Sequence, residues 1–116
     1  MTTLYGISNC DTVRKTRKWL EANTVAFEFH DLRKDGLQRA QVDRWCDALG
    51  LETVLNKRGT TWRALPAEQR DNLDEEGLRA LLVEQPTLIK RPVLEHNGEI
   101  RIGFKADDYA ALLGVA

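Results

Sequence analysis

Thr2-Thr-Leu-Tyr-Gly-Ile-Ser-Asn-Cys10-Asp-Thr-Val-Arg14, with Ala26-Phe-Glu-Phe-His-Asp31 after it, decides the fold. Residues 2–7 are β-prone and apolar and open a strand. Ser8 to Thr12 is a polar loop. From Asp11 to Asn23 the spacing turns helical. Val13, Thr16, Trp19 and Leu20 fall on one face, and Arg14, Lys15 and Lys18 point away. Asn23 supplies a stop, and residues 26–31 read as a second strand. Strand, helix and strand within about 30 residues form a βαβ unit, which requires a right-handed crossover and a parallel pair.

The period then changes. Val42, Trp45, Cys46 and Leu49 recur at i, i+3, i+4 and i+7, an amphipathic helix that Gly50 ends. Leu51 to Leu55 reads as a short turn, and Asn56-Lys57-Arg58-Gly59 as a basic loop. Pro66 suits the first position of a short helix, and Asp74 caps another that carries Leu78, Leu81 and Leu82, with Pro86 beyond its end. The last third is extended. Asn97-Gly98 sits between residues 92–96 and 99–103, a strong short hairpin signal because both turn residues need positive φ. A final helix runs from about Ala106 to Leu113.

The order β-α-β, helical insert, β-hairpin, α predicts an α/β protein with a four-stranded mixed sheet covered by helices. Without the insert this is the thioredoxin-like layout. The expected organisation is one domain over residues 1–116 with a helical insert at about 37–85.

Composition narrows the function. The chain has 116 residues, 42% hydrophobic, with a net charge of −1, which supports one core and no global attraction to nucleic acid or membrane. No apolar run reaches the roughly 18 residues of a membrane span. Met1-Thr-Thr-Leu4 lacks the pattern of a signal peptide, so a soluble cytoplasmic protein is expected. Two cysteines can make neither a disulfide framework nor an all-cysteine zinc site, and no metal is expected.

Cys10 stands where the first strand hands over to the first helix. A thiol there sees free backbone N–H groups and the positive end of the helix dipole, both favouring the nucleophilic thiolate. Arg14, one turn on, can reach back toward the sulfur, whereas Asp11 opposes a second anion beside it. A modestly lowered thiol pKa is expected. The competing reading is a small residue packed at a strand end. Cys46 lies on the apolar stripe and reads as an inert core thiol, although sequence distance leaves a resolving role open. Position 13 is valine, so there is no Cys-x-x-Cys. A mixed disulfide on Cys10 would need an external thiol, for which glutathione is the candidate co-substrate. The substrate would be a protein disulfide or mixed disulfide. Cations for an anionic ligand are available at Arg14, Lys15 and Lys18, at Lys57 and Arg58, and at Lys90 and Arg91. Thr12 is placed to hydrogen-bond the sulfur. In a thioredoxin-like sheet the residue opening the third strand faces the cysteine and is often a cis-proline, which predicts a cis Arg91–Pro92 bond and a backbone open to an extended peptide such as glutathione. His30 and His96 read as strand-end residues, since a low-pKa thiolate needs no base.

The segments Tyr5-Gly-Ile-Ser-Asn-Cys-Asp-Thr-Val-Arg-Lys15, Asn56-Lys-Arg-Gly-Thr-Thr-Trp-Arg63, Ile89-Lys-Arg-Pro-Val93 and Gly103-Phe-Lys105 resemble the ArsC/Spx family, and within it the YffB-type branch. The resemblance spans essentially the whole chain and implies a thioredoxin-like fold with a helical insert. It implies a nucleophilic role for Cys10 and an anion-binding role for Arg91. The arsenate reductases of the family hold their oxyanion with two more arginines, which fall near Asn56 and Phe104 here. Arg58 and Arg101 lie close by but out of register. Asp11 stands where those enzymes have glycine and would repel a dianion. Together with the residue reading above, the expectation is a glutathione-dependent thiol reductase with Cys10, Arg14 and Arg91 catalytic, and Thr12, Lys57, Arg58, Arg91 and Pro92 around glutathione or an anionic substrate. Arsenate is not the expected substrate. The Spx branch implies the alternative, a regulatory protein contacting the RNA polymerase α-subunit, though Val13 removes the Cys-x-x-Cys switch typical of that branch.

Overall fold

The computed structural model describes residues 1–115. The elements in chain order are β1 (Thr2–Gly6), α1 (Asp11–Ala22), β2 (Glu28–Asp31), α2 (Arg39–Leu49), α3 (Leu51–Val54), α4 (Thr60–Ala64), α5 (Ala67–Asp71), α6 (Glu75–Glu84), β3 (Val93–His96), β4 (Glu99–Ile102) and α7 (Ala106–Leu113). A 3₁₀ turn at Pro86–Leu88 precedes β3. The sheet order is β2-β1-β3-β4, with β1 parallel to β2 and antiparallel to β3, and β3 antiparallel to β4. This is the thioredoxin-like mixed sheet. The chain divides into two compact units, one made of Met1–Asp35 and the segment from Arg91 onward, the other of Gly36–Lys90.

In the first unit, Leu4, Leu20, Leu94 and Tyr109 form a buried cluster, flanked by half-buried Trp19, Phe27, Phe29, Phe104, Leu112 and Leu113. Each fully buried leucine contributes roughly 1.5–3 kcal/mol, more than the about 0.5–1.5 kcal/mol of an aromatic pair. The leucines therefore supply most of the stabilisation, while ring contacts set orientation. Trp19, Phe104 and Tyr109 meet edge to face at 5.1–6.0 Å. Tyr109 also donates its hydroxyl hydrogen to the Gly103 carbonyl at 2.7 Å. Burial pushes its phenol well above the usual range.

α1 meets β1 closely. A Cβ on Gly6 would lie 2.7 Å from a Val13 methyl carbon, so glycine is what lets the helix approach the strand end. The hairpin turn has the expected geometry, with φ of 48° at Asn97 and 87° at Gly98.

In the second unit, α2 buries Val42, Trp45 and Cys46. Arg79 of α6 reaches Asp43 and Asp47 of α2 at 3.0 Å, and Arg39 of α2 reaches Glu76 of α6 at 2.6 Å. Asp74 caps α6 by accepting from the Gly77 amide at 2.8 Å. Asn56 N–H donates to Leu88 O at 2.7 Å and Lys90 N–H to Val54 O at 2.9 Å, clamping two strand-like segments around the Leu55–Ile89 bridge.

Three local readings shift. β2 begins at Glu28 rather than residue 26, because pairing with β1 starts at Thr3–Glu28, although Phe27 still packs in the core. Pro66 is the N-cap of α5, one position before its first helical residue. α4 has no counterpart among the expected elements. Thr60 and Thr61 are poor helix formers, and the turn is held instead by a 2.9 Å Thr61–Thr87 hydroxyl bond.

Candidate functional site

Cys10 occupies the N-cap of α1, with extended φ −86° and ψ 128° and no side-chain capping bond. Its carbonyl accepts the first helical bond from Arg14 N–H at 2.9 Å, and its own N–H donates to Ile7 O at 3.0 Å. The loop is thus a tight turn that delivers the thiol to the helix start, half-exposed and free. Cys46, the other free cysteine, differs in its burial. It is 3% exposed. Desolvation raises its pKa despite the lowering effect of the Arg79 charge.

Asp31, which the sequence did not single out, is the hidden anchor of the Cys10 loop. Burial by itself would raise its pKa. The N–H groups of Lys34, Arg33 and Ser8 outweigh that and hold the carboxyl below its ordinary value. Arg33 and Lys34 donate to Asp31 Oδ1 at 2.8 and 3.1 Å. The Ser8 bond ties the end of β2 to the loop two residues before Cys10.

Register brings further residues to the same end of the sheet. Tyr5 pairs with Val93 and Gly6 with Asp31, so Arg91 and Pro92 enter β3 beside the end of β1 that leads to Cys10. The Arg91–Pro92 bond is cis, as the fold reading anticipates. Pro92 is buried, and its carbonyl accepts from Gly103 N–H at 2.8 Å. Thr12 is exposed in the first turn of α1, and its carbonyl accepts from Thr16 Oγ1 at 2.7 Å. Arg14 donates to the Asp11 carboxylate, so in this conformation its guanidinium serves the neighbouring acid.

Lys57 and Arg58 belong to the second unit. There, with Glu52, Leu55 and Lys90, they line a groove of about 490 Å³. Lys57 Nζ lies 5.8 Å over the Trp62 ring. Asn56 Oδ1 accepts from Arg58 N–H at 3.1 Å, a turn-forming role. Phe104 belongs to the core cluster, and Arg101 is engaged by Glu99 at 3.1 Å and Asp108 at 3.3 Å. His96 Nδ1 meets Thr2 Oγ1 at 2.7 Å, and the His30 ring lies 4.9 Å from that of Tyr5, so both histidines have structural partners on their strands. Among the described residues there is no cluster of potential metal ligands and no helix long and apolar enough to cross a membrane.

A mixed thioredoxin-like sheet with a single half-exposed cysteine at the start of α1 defines a class of cysteine-centred α/β proteins. Residues 5–112 match the ArsC family, and the chain belongs to it. A solved YffB protein is 48% identical, with a TM-score of 0.93, the match covering 97% of this chain and 99% of that one. An arsenate reductase (ArsC) related protein from Brucella melitensis is 44% identical, with a TM-score of 0.76 over 95% of this chain and 92% of that one. The chain is also similar to an uncharacterized protein of Haemophilus influenzae, at 41% identity over 96% of this chain and 97% of that protein. It is 30% identical to the global transcriptional regulator Spx of Streptococcus agalactiae, over 97% of this chain and 83% of that protein.

Proposed function

We propose that the protein is a glutathione-dependent thiol reductase working through Cys10. The observation that carries this reading is the contrast between a half-exposed thiol at the start of α1 and a second thiol that is 3% exposed. The first turn of α1 offers backbone N–H groups to a thiolate at its N-cap. Cys10 attacks the glutathione sulfur of a mixed disulfide, RS–SG. The RS–SG bond breaks, a Cys10–SG bond forms, and the departing RS⁻ takes a proton. A second glutathione thiolate attacks the Cys10–SG bond, giving glutathione disulfide and restoring Cys10. The net reaction is RS–SG plus GSH to RSH plus GSSG. Arg91 supplies a cation for a carboxylate of glutathione, Thr12 a hydroxyl for the sulfur, and Pro92 the backbone beside which the peptide lies. Arg14 assists the thiolate by exchanging Asp11 for the sulfur. Arsenate is not the substrate in this reading: Phe104 is spent on core packing, Asn56 on its turn, and Asp11 adds a negative charge beside the thiol.

The test is intact mass after incubation with oxidised glutathione. The wild type gains one glutathionyl group, which added glutathione removes, and Cys10→Ser gains none. An unmodified wild type sinks the proposal.

The 30% identity to an Spx regulator favours a second reading, a module that binds the RNA polymerase α-subunit. Capture of purified α-subunit by a chain that turns over no mixed disulfide selects that reading over the first.

A further inference from the structure

The groove of the second unit contains an acid that a plain anion site would not want. Lys57, Arg58 and Lys90 supply three positive charges, and Glu52 places one carboxylate among them. None of these four side chains is in an ion pair among the described residues, so the charges line one groove without cancelling in contact. The placement is built by the backbone. The bonds from Asn56 N–H to Leu88 O and from Lys90 N–H to Val54 O fix the segment bearing Lys57 and Arg58 against the segment bearing Lys90. α3 ends at Val54 and presents Glu52 on the same side. The volume of about 490 Å³ lies within the range of small-molecule sites.

We propose that this groove binds an α-amino-acid terminus, an ammonium and a carboxylate on one carbon, of the kind found at the γ-glutamyl end of glutathione. Lys57, Arg58 and Lys90 take the carboxylate, and Glu52 takes the ammonium and sets specificity. The groove lies wholly within the second unit, and the proposal stands apart from the reading of Cys10. Simple electrostatics separates the proposal from a generic anion site by sign. Removing Glu52 strengthens the binding of any purely anionic ligand, since a like charge is lost. It weakens the binding of a zwitterion whose ammonium it holds.

The experiment measures equilibrium binding of S-methylglutathione, which cannot form a disulfide, and of its analogue with a glutaryl group replacing γ-glutamyl, which lacks the ammonium. Trp62 beside Lys57 serves as a fluorescence reporter. The wild type prefers S-methylglutathione. Glu52→Gln weakens its binding by about threefold, the scale of an exposed ion pair, and loses the preference. Lys90→Gln weakens both ligands. Equal wild-type affinities, tighter S-methylglutathione binding by Glu52→Gln, or no saturable binding overturns the proposal. Adduct formation at Cys10, read by mass in the same proteins, separates this failure from failure of the reductase reading: a groove that binds nothing beside a Cys10 that is still glutathionylated refutes only the groove.

Discussion

Asp31 holds a buried carboxylate against backbone N–H groups from its own turn and from Ser8, and so fixes the loop that carries Cys10. Its folded pKa lies below its unfolded value, so the native state binds fewer protons. The stabilisation is complete above about pH 5 and is lost as pH falls through the unfolded carboxylate value of about 3.9 toward the lower folded one. Asp31→Asn should lower stability at neutral pH by about 1–2 kcal/mol and flatten the acid limb of a denaturation series. An acid limb unchanged in the variant assigns that limb to other carboxylates. The two thiols make a second residue-level prediction. Iodoacetamide should modify Cys10 in the native protein and reach Cys46 only on unfolding, because burial both shields Cys46 and raises its pKa. Peptide mapping after native labelling reads this directly. Cys10 was legible in the sequence because its signal is local: a strand, a polar turn and a helix start. Asp31 was not, since its partner Ser8 is brought to it by pairing of β1 with β2. Arg14 shows the limit of local reading as well. One-turn spacing suggested the sulfur, yet the nearer carboxylate of Asp11 holds the guanidinium.

At the scale of elements, the approach of α1 to β1 sets the position of the site. The 2.7 Å clash expected between a Gly6 Cβ and the Val13 side chain predicts that Gly6→Ala costs about 1–3 kcal/mol in chemical denaturation. Adding Val13→Ala should recover part of that loss, a non-additivity a double-mutant cycle would detect. Additive losses would show that the strand and helix separate without mutual strain. The order and type of the main elements were readable from period and punctuation, as the caps at Asp74 and Gly50 and the Asn97-Gly98 turn show. α4 escaped because its stability comes from the Thr61–Thr87 bond between distant segments rather than from its own residues. Lys57, Arg58 and Lys90 were legible as cations, but their meeting with Glu52 in one groove was not, for the same reason. Lys57 and Lys90 are far apart in sequence, and only the Leu55–Ile89 bridge puts their segments side by side.

For the molecule as a whole, the near-zero net charge hides a division of labour. Acids of the second unit at Asp43, Asp47, Glu75 and Glu76 are taken up by Arg39 and Arg79. The groove cations Lys57, Arg58 and Lys90 stand outside that network. Sheet order has a larger consequence. β1 is an inner strand whose antiparallel neighbour, β3, is separated from it in sequence by the whole of Gly36–Lys90. A fragment ending at Lys90 has β1 and β2 but lacks β3, β4 and α7, and with them Leu94 and Tyr109 of the core. Such a fragment should give no protection of the Thr3–Gly6 amides in hydrogen exchange, whereas the full chain protects them strongly. Protection in the fragment would show that the βαβ unit stands alone. During synthesis, then, the first strand leaves the ribosome with one edge unsatisfied and waits until residue 96 has emerged to close it. The half-exposed thiol is made early and positioned late: a nascent chain carries Cys10 long before the sheet that aims it exists.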